Sequence, residues 1–235
     1  MLKGGSQMKL SVIIVSYNEA EYLKRAIGSC LQQNFDSYEI IIGDDGSDDG
    51  SIDIIKRYGD KVKFFVMERN ETEIVPSIRV SRIIKKGISI SKGEYICCLS
   101  GDDFFTDKNR FRDHCSFLDS HLNYSSVFSR YSKYYGDTKK LVRMDRPSDN
   151  RSFFWSGQYT HISCFTFRRY IYDSGKLLDR LCDDTGLIYK YCSFGKMALY
   201  KQIHFCLFSA KRQHNEQCGR VRAGADRAYT DAGYF

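Results

Sequence analysis

Three short acidic segments hold the residues best suited to chemistry: Asp44-Asp45-Gly46-Ser47-Asp48-Asp49-Gly50, Ser100-Gly101-Asp102-Asp103 and Asp183-Asp184-Thr185-Gly186. A carboxylate at the end of a buried strand can accept the N–H of a nucleobase or the hydroxyls of a ribose. That is the chemistry of the first segment if it is more than a turn and helix cap, for which Asp, Gly and Ser are equally suited. It is not an EF-hand. With Asp45 as the first loop position, the bidentate Glu required at the twelfth is Lys56, and a strand precedes the loop where a helix should stand. In the second segment, two adjacent carboxylates after an apolar strand are costly unless paired or coordinated. A divalent cation, Mg2+ or Mn2+, binds one or two carboxylates plus diphosphate oxygens and is their natural partner; the bland alternative is a capped turn. The third segment taken alone reads as capping, since an acidic pair in the first turn of a helix suits its dipole.

The elements around these segments decide where they lie. Residues 11–16 (SVIIVS) are apolar and β-branched and predict a buried strand. Asn18 is the expected cap of a helix over residues 19–33, whose apolar positions are Tyr22, Leu23, Ala26, Ile27, Cys30 and Leu31. A second strand over 38–42 runs into the first acidic segment. A helix at 51–58, a strand at 62–66, a helix at 76–91 and a strand at 94–99 follow, the last ending at the second acidic segment. This β-α-β-α-β-α-β alternation implies a parallel sheet with helices on both faces. Ligands of such sheets sit beyond the carboxyl ends of the strands, where both acidic segments fall.

The second half predicts a helix at 111–118, strands at 125–133, 139–144, 162–168 and 202–208, a loop at 146–158 and a helix at 183–194. Apolar periodicity ends near Lys211, so residues 211–235 are expected to form a weakly ordered tail. The expected organisation is one domain over residues 1–210, with a nucleotide-binding half at about 9–103 and an acceptor half at 104–210.

Composition narrows the class. The chain has 235 residues, 42% hydrophobic and 28% charged, which excludes disorder, collagen and coiled coil. No apolar run approaches the roughly 20 residues of a membrane-spanning helix. The first ten residues hold no apolar signal core, so a cytoplasmic location is expected, with peripheral membrane contact through Lys and Arg as an addition. A net charge of +7 suits anionic small molecules or an anionic surface and is too dispersed to argue for nucleic acid. Nine Cys, an odd number with no C-x-x-C, read as reduced buried thiols; Cys97 and Cys98 should point to opposite faces of the sheet.

In order and spacing, SVIIVSYNEAEYL, EIIIGDDGSDDGS and KGEYICCLSGDDFFTDKNRF resemble the family-2 glycosyltransferases of GT-A fold. The resemblance covers residues 9–130 well and continues more weakly to about 210. It implies an α/β fold of GT-A type, a Rossmann-like and mostly parallel sheet flanked by helices, with a small added sheet in the acceptor half. It further implies inverting, metal-dependent transfer from a nucleotide sugar, most often a UDP-sugar, to a saccharide or lipid-linked acceptor, as in bacterial capsule or lipopolysaccharide synthesis.

Residue by residue, Ser16, Tyr17 and Asn18 match the stretch lining the nucleotide pocket. Asp45, with Asp44 and Ser47 beside it, matches the carboxylate region that contacts uracil and ribose. Asp103 matches the last Asp of the D-x-D-type motif and should hold Mn2+ or Mg2+, while Asp102 should face the ribose or the metal. Asp184 resembles the catalytic base. The chain departs from the family at Ser100, where an acidic residue is frequent, and at Lys85, where Asn is frequent.

Two other readings remain open at this level. A nucleotidyltransferase should carry a glycine-rich, basic loop after the first strand, where this chain has Ser16-Tyr17-Asn18-Glu19. A degenerate sugar-nucleotide-binding protein would explain Ser100. His161 and Trp155 are candidates for an acceptor groove, although packing or surface roles weigh more for both. Packing is likewise the stronger reading for Tyr131, Tyr134 and Tyr135.

Overall fold

The protein is described from a computed structural model over residues 8–69, 75–135, 140–143, 161–173 and 196–209. The first strand, β1 (Leu10–Ser16), is buried along nearly its whole length and reads as an unbroken apolar run for that reason. It is flanked in parallel by β2 (Tyr38–Asp44) on one side and β4 (Tyr95–Ser100) on the other; β3 (Lys63–Val66) extends the sheet beyond β2. The connecting helices are α1 (Ala20–Leu31), α2 (Ser51–Lys56) and α3 (Pro76–Ile90).

Alternation along β1 separates two cores. Leu10, Val12 and Ile14 pack with Leu23, Ala26, Ile27 and Cys30 of α1. Ile13 packs with Ile84 and Ile88 of α3 on the opposite face. Cys97 joins the first core and Cys98 the second, as their adjacency requires. Gly87 brings α3 down onto β1, since a Cβ there would lie 2.8 Å from Ile13 Cγ2.

The second half continues the same sheet. The two-residue strand β5 (Phe104–Phe105) and the helix α4 (Arg110–Ser120) lead into the long β6 (Tyr124–Tyr135), the short β7 (Lys140–Arg143), β8 (Phe165–Arg168) and β9 (Lys196–Ser209). Among the described residues this makes one nine-stranded sheet in the order β3-β2-β1-β4-β8-β6-β9-β5, with β7 paired to β6. β8 runs antiparallel to β4 and joins the two halves. Tyr131 is 5% exposed within the first core, so its role is packing.

Several expectations need correction. The strand expected over 162–168 opens with a 3-10 turn at Ile162–Cys164. The helix expected over 51–58 ends at Lys56 and a separate 3-10 turn follows at Gly59–Lys61. The last strand starts six residues earlier than its apolar core suggests and pairs with β6 in parallel. The loop expected at 146–158, the helix at 183–194 with Asp183 and Asp184, and the tail lie outside the described residues.

Candidate active site

The strand order places a topological switch point beside β1. The chain moves from β1 to β2 and β3 on one side, then returns to β4 on the other, and in such sheets the crevice opens at the carboxyl ends of the diverging strands. Register brings Ser16 opposite Asp44 and Val15 opposite Ser100. Both acidic loops are clipped to the end of β1 by backbone bonds. Asp45 N–H donates to Ser16 O at 2.9 Å and Gly101 N–H to Val15 O at 2.8 Å. Asp44, Asp45, Asp102 and Asp103 therefore share one rim.

The β1–α1 loop and the first acidic loop are laced together. Asp44 is fully buried; its two carboxylate oxygens accept the Ser47 N–H and the Ser47 hydroxyl, both at 2.7 Å. Ser47 Oγ in turn accepts the Asn18 N–H at 2.9 Å, and Asn18 Oδ1 accepts the Asp48 N–H at 3.0 Å. Asn18 is accordingly not the cap of α1. It takes a left-handed conformation (φ 51°), which Asn tolerates better than most residues, and Glu19 occupies the N-cap position. The first N–H groups of α1 are satisfied from the neighbouring loop: Glu19 N–H donates to Ser51 Oγ at 3.1 Å and Ala20 N–H to Asp49 Oδ2 at 2.9 Å. Partial burial opposes ionisation of Asp49, but donation from Ser51 and Ala20 outweighs it and holds this carboxyl below its ordinary range.

Asp45 is paired. Arg79 of α3 reaches Asp45 Oδ2 with Nε at 2.6 Å and with a terminal nitrogen at 2.5 Å. The same guanidinium is 5.8 Å from the centre of the Tyr17 ring, and Arg69 lies over that ring at 4.1 Å. An aromatic face, a carboxylate and two guanidiniums thus meet at one end of the rim. Ser16 Oγ is buried there with no partner among the described residues.

At the other end, Arg25 of α1 donates to the Asp102 carbonyl at 3.1 Å and lies over the Phe104 ring at 4.4 Å, holding the turn. The Asp103 side chain is 2% exposed; Ser163 Oγ donates to its Oδ2 at 3.4 Å, and His161 Nδ1 stands 3.7 Å from the same oxygen. Ser163 is itself fixed by the fully buried Arg110, which donates to its carbonyl at 2.9 Å. On the α3 side, a cavity of about 200 Å³ lined by Val15, Val80, Ile84 and Leu99 opens beside Ser100 and His161.

Glu19 lies between the two acidic loops and was not singled out by its sequence position. A Cβ at Gly101 would run into its carboxyl group, which explains a glycine before Asp102. Burial, followed by the negative charges of Asp102, Asp44 and Asp49, pushes its pKa up from 4.5 to about 9. The linkage has a definite sign. Between pH 4.5 and about 9 the unfolded chain ionises this group while the folded chain keeps it protonated, so stability falls as pH rises through that window. With divalent cations chelated, urea unfolding of Glu19→Gln should lack this slope, and the variant should gain on the parent by up to about 1.4 kcal/mol per pH unit. A difference between the two proteins that stays constant from pH 5.5 to 8.5 would exclude a neutral Glu19.

The donor set fits a hard divalent cation. Asp102 and Asp103 offer carboxylate oxygens, the ligands that Mg2+ and Mn2+ favour. Among the described residues no group of three or more His, Cys, Asp or Glu side chains is placed to hold a metal ion. Among the described residues, Cys164 and Cys98 are poor ligands: burial pushes the Cys164 thiol up to about 12 and that of Cys98 well above its ordinary value. Asp184, expected as the base, lies outside the described residues.

Comparison with known proteins agrees with this architecture. A Haemophilus influenzae protein described as an uncharacterized glycosyltransferase is 31% identical over 153 residues, covering 64% of this chain and 58% of its own length. The chain spans only 28% of another curated relative, an uncharacterized glycosyltransferase of Rickettsia typhi. Among solved structures, S. aureus TarS 1–349 in complex with UDP-GlcNAc superposes with a TM-score of 0.70 at 18% identity, over 89% of this chain and 61% of that one. Mannosyltransferase PcManGT from Pyrobaculum calidifontis, in complex with GDP-Man and Mn2+, gives 0.65 at 14% identity over 97% and 66%. These two likenesses concern the fold, which is that of GT-A glycosyltransferases. The family described as glycosyl transferase family 2 matches residues 11–175, more than half of the sequence, and the chain belongs to that family.

Proposed function

We propose that the protein transfers a sugar from a nucleotide sugar, a UDP-sugar in the first instance, to a hydroxyl of a saccharide or lipid-linked acceptor, with inversion at the anomeric carbon. The observation that carries this reading is the shared rim. Tyr17, Asp45 and Arg79 form an aromatic and hydrogen-bonding end suited to a base, and Asp102 and Asp103 form an acidic end suited to a cation, both at the carboxyl ends of adjacent parallel strands. Family membership supports it, as do the donors bound by TarS and PcManGT. On this reading residues 9–103 hold the donor, residues 104–210 shape the acceptor side, and the product belongs to a cell-surface polysaccharide or lipopolysaccharide.

The chain's own residues have distinct tasks. Tyr17 stacks on the base, while Asp44 and Ser47 hold Asp45 where it meets the base or ribose, with Ser16 and Asn18 completing the wall. Asp102 and Asp103 hold Mn2+ or Mg2+, which when bound neutralises the charge developing on the diphosphate. Asp184 takes the proton of the attacking hydroxyl. The new bond forms from that oxygen to the anomeric carbon as the bond to the diphosphate oxygen breaks. One displacement inverts the centre.

The test is thermal unfolding with UDP, GDP, UDP-GlcNAc and GDP-Man, each with Mn2+ or with EDTA. A ligand at a hundred times its Kd stabilises the native state by about 2.7 kcal/mol, which moves the midpoint by roughly 5–10 °C in a chain of this size. Uridine nucleotides with Mn2+ should give that shift. If no nucleotide moves the midpoint, the reading is wrong. Ser100 in the place of a frequent acidic residue favours one second reading, a binding protein without turnover; binding of a UDP-sugar with no hydrolysis or transfer would select it.

A further inference from the structure

Arg110, at the start of α4, is fully buried and among the largest side chains in the core. We infer that Arg110 is a positioning residue for the second acidic loop: by holding Ser163 from the core, it fixes the orientation of the Asp103 carboxylate. The inference rests on the reading of Asp103 as a cation ligand proposed above, and adds to it the residue that aims that ligand.

The guanidinium gathers every element around that loop. One terminal nitrogen donates to the Ser163 carbonyl at 2.9 Å and approaches Cys97 Sγ of β4 at 3.9 Å. The other donates to Ser129 Oγ of β6, and the cation lies 4.7 Å from the centre of the Phe105 ring in β5. β4 ends at Ser100 and β5 begins at Phe104, so both strands that bound the loop meet this one side chain. The 3-10 turn Ile162–Cys164 beside the loop meets it as well.

Ser163 carries the hold to the carboxylate. Its Oγ accepts the Ser100 N–H at 3.3 Å, which leaves its single hydrogen for Asp103 Oδ2 at 3.4 Å. The Asp103 N–H donates back to the Ser100 carbonyl at 3.1 Å, closing the loop on itself. Releasing the Ser163 carbonyl would let the turn slide against the loop, and the Asp103 carboxylate would turn with it. The energetics argue that this hold is what the charge is for. A buried cation is costly, and among the described residues no carboxylate pairs with Arg110 and its Nε has no partner. An apolar side chain of similar volume would fill the same space without that cost. Only a planar fork donates to Ser129 and Ser163 at once.

Calorimetry of the full chain with UDP, in Mn2+ and in EDTA, tests this through a double-variant cycle. Arg110→Lys and Ser163→Ala, each checked for cooperative melting, should lower the Mn2+-dependent gain in UDP affinity by roughly tenfold. UDP binding in EDTA should stay at the parent's level in both. The combined variant should lose little more than Ser163→Ala alone, because without the hydroxyl the hold on Ser163 no longer reaches Asp103. A merely structural role would lower the melting midpoint and leave the Mn2+ gain of the folded protein intact. Ser129→Ala loosens Arg110 from β6 without touching the loop, and takes the place of Arg110→Lys in the cycle if the Lys variant does not melt cooperatively. A folded variant on the Arg110 side that keeps the parent's Mn2+ gain overturns the inference and leaves sugar transfer standing, as do losses that simply add. A parent that binds UDP with no Mn2+ gain overturns it together with metal dependence. A parent that binds no nucleotide overturns the proposed function as well.

Discussion

Asp103→Asn should abolish the Mn2+-dependent part of UDP binding and lower kcat/KM for transfer by about a thousandfold or more. Asn has nearly the shape of Asp, and Ser163 Oγ can still donate to its carbonyl oxygen, so the fold should survive. The charge is what disappears. A divalent ion gains several kcal/mol of its catalytic effect from the negative charge that it neutralises, and a neutral amide is a poor ligand for it. Calorimetry with UDP in Mn2+ and in EDTA reads the first effect and initial rates read the second. In the parent the two titrations should differ strongly; in the variant they should coincide. A variant that keeps Mn2+-enhanced UDP binding would remove Asp103 from the cation site.

Asp184→Asn should separate binding from chemistry. The proposed base touches the acceptor hydroxyl, not the nucleotide. UDP affinity and its Mn2+ dependence should remain at the parent's level while transfer falls by about 10²–10⁴, the range that a positioned general base supplies. Single-turnover measurement with saturating donor isolates that step. Transfer at the parent's rate would reject the assignment. Loss of UDP binding as well would show that Asp184 supports the donor site.

The first hundred residues were legible because of how they are buried. β1, β2 and β4 are central strands covered on both faces, so each appears as a continuous apolar run. α1 and α3 each pack one face against the sheet and keep a helical apolar period. Their boundaries fell within a residue or two, and the acidic loops followed from strand ends. The second half was harder to read because its pairings are distant in sequence. β9 pairs in parallel with β6 and antiparallel with β5, and neither partner announces this in its own residues.

Local conflicts were invisible for a different reason. Asn18 has the composition of a cap, but α1 receives its capping from Asp49 and Ser51 of another loop, a choice only the tertiary fold makes. Glu19 merely opens the helix expected over residues 19–33, and its burial arises only where Gly101 and Asp102 close over it. His161 looked like a packing or surface residue, and its approach to Asp103 depends on a 3-10 turn that alternating apolar residues had disguised as strand.

The pairing of Phe104–Phe105 with Cys206 and Phe205 has a consequence for biogenesis. Residues directly after Asp103 find their strand partner a hundred positions later, whereas the base end is complete once β4 has joined β1. On a ribosome that emits the chain from its N-terminus, the two ends of the cleft should mature at different times. A nascent polypeptide should acquire the proposed base-recognition end first, and the support behind the proposed cation ligands only when the final described strand emerges.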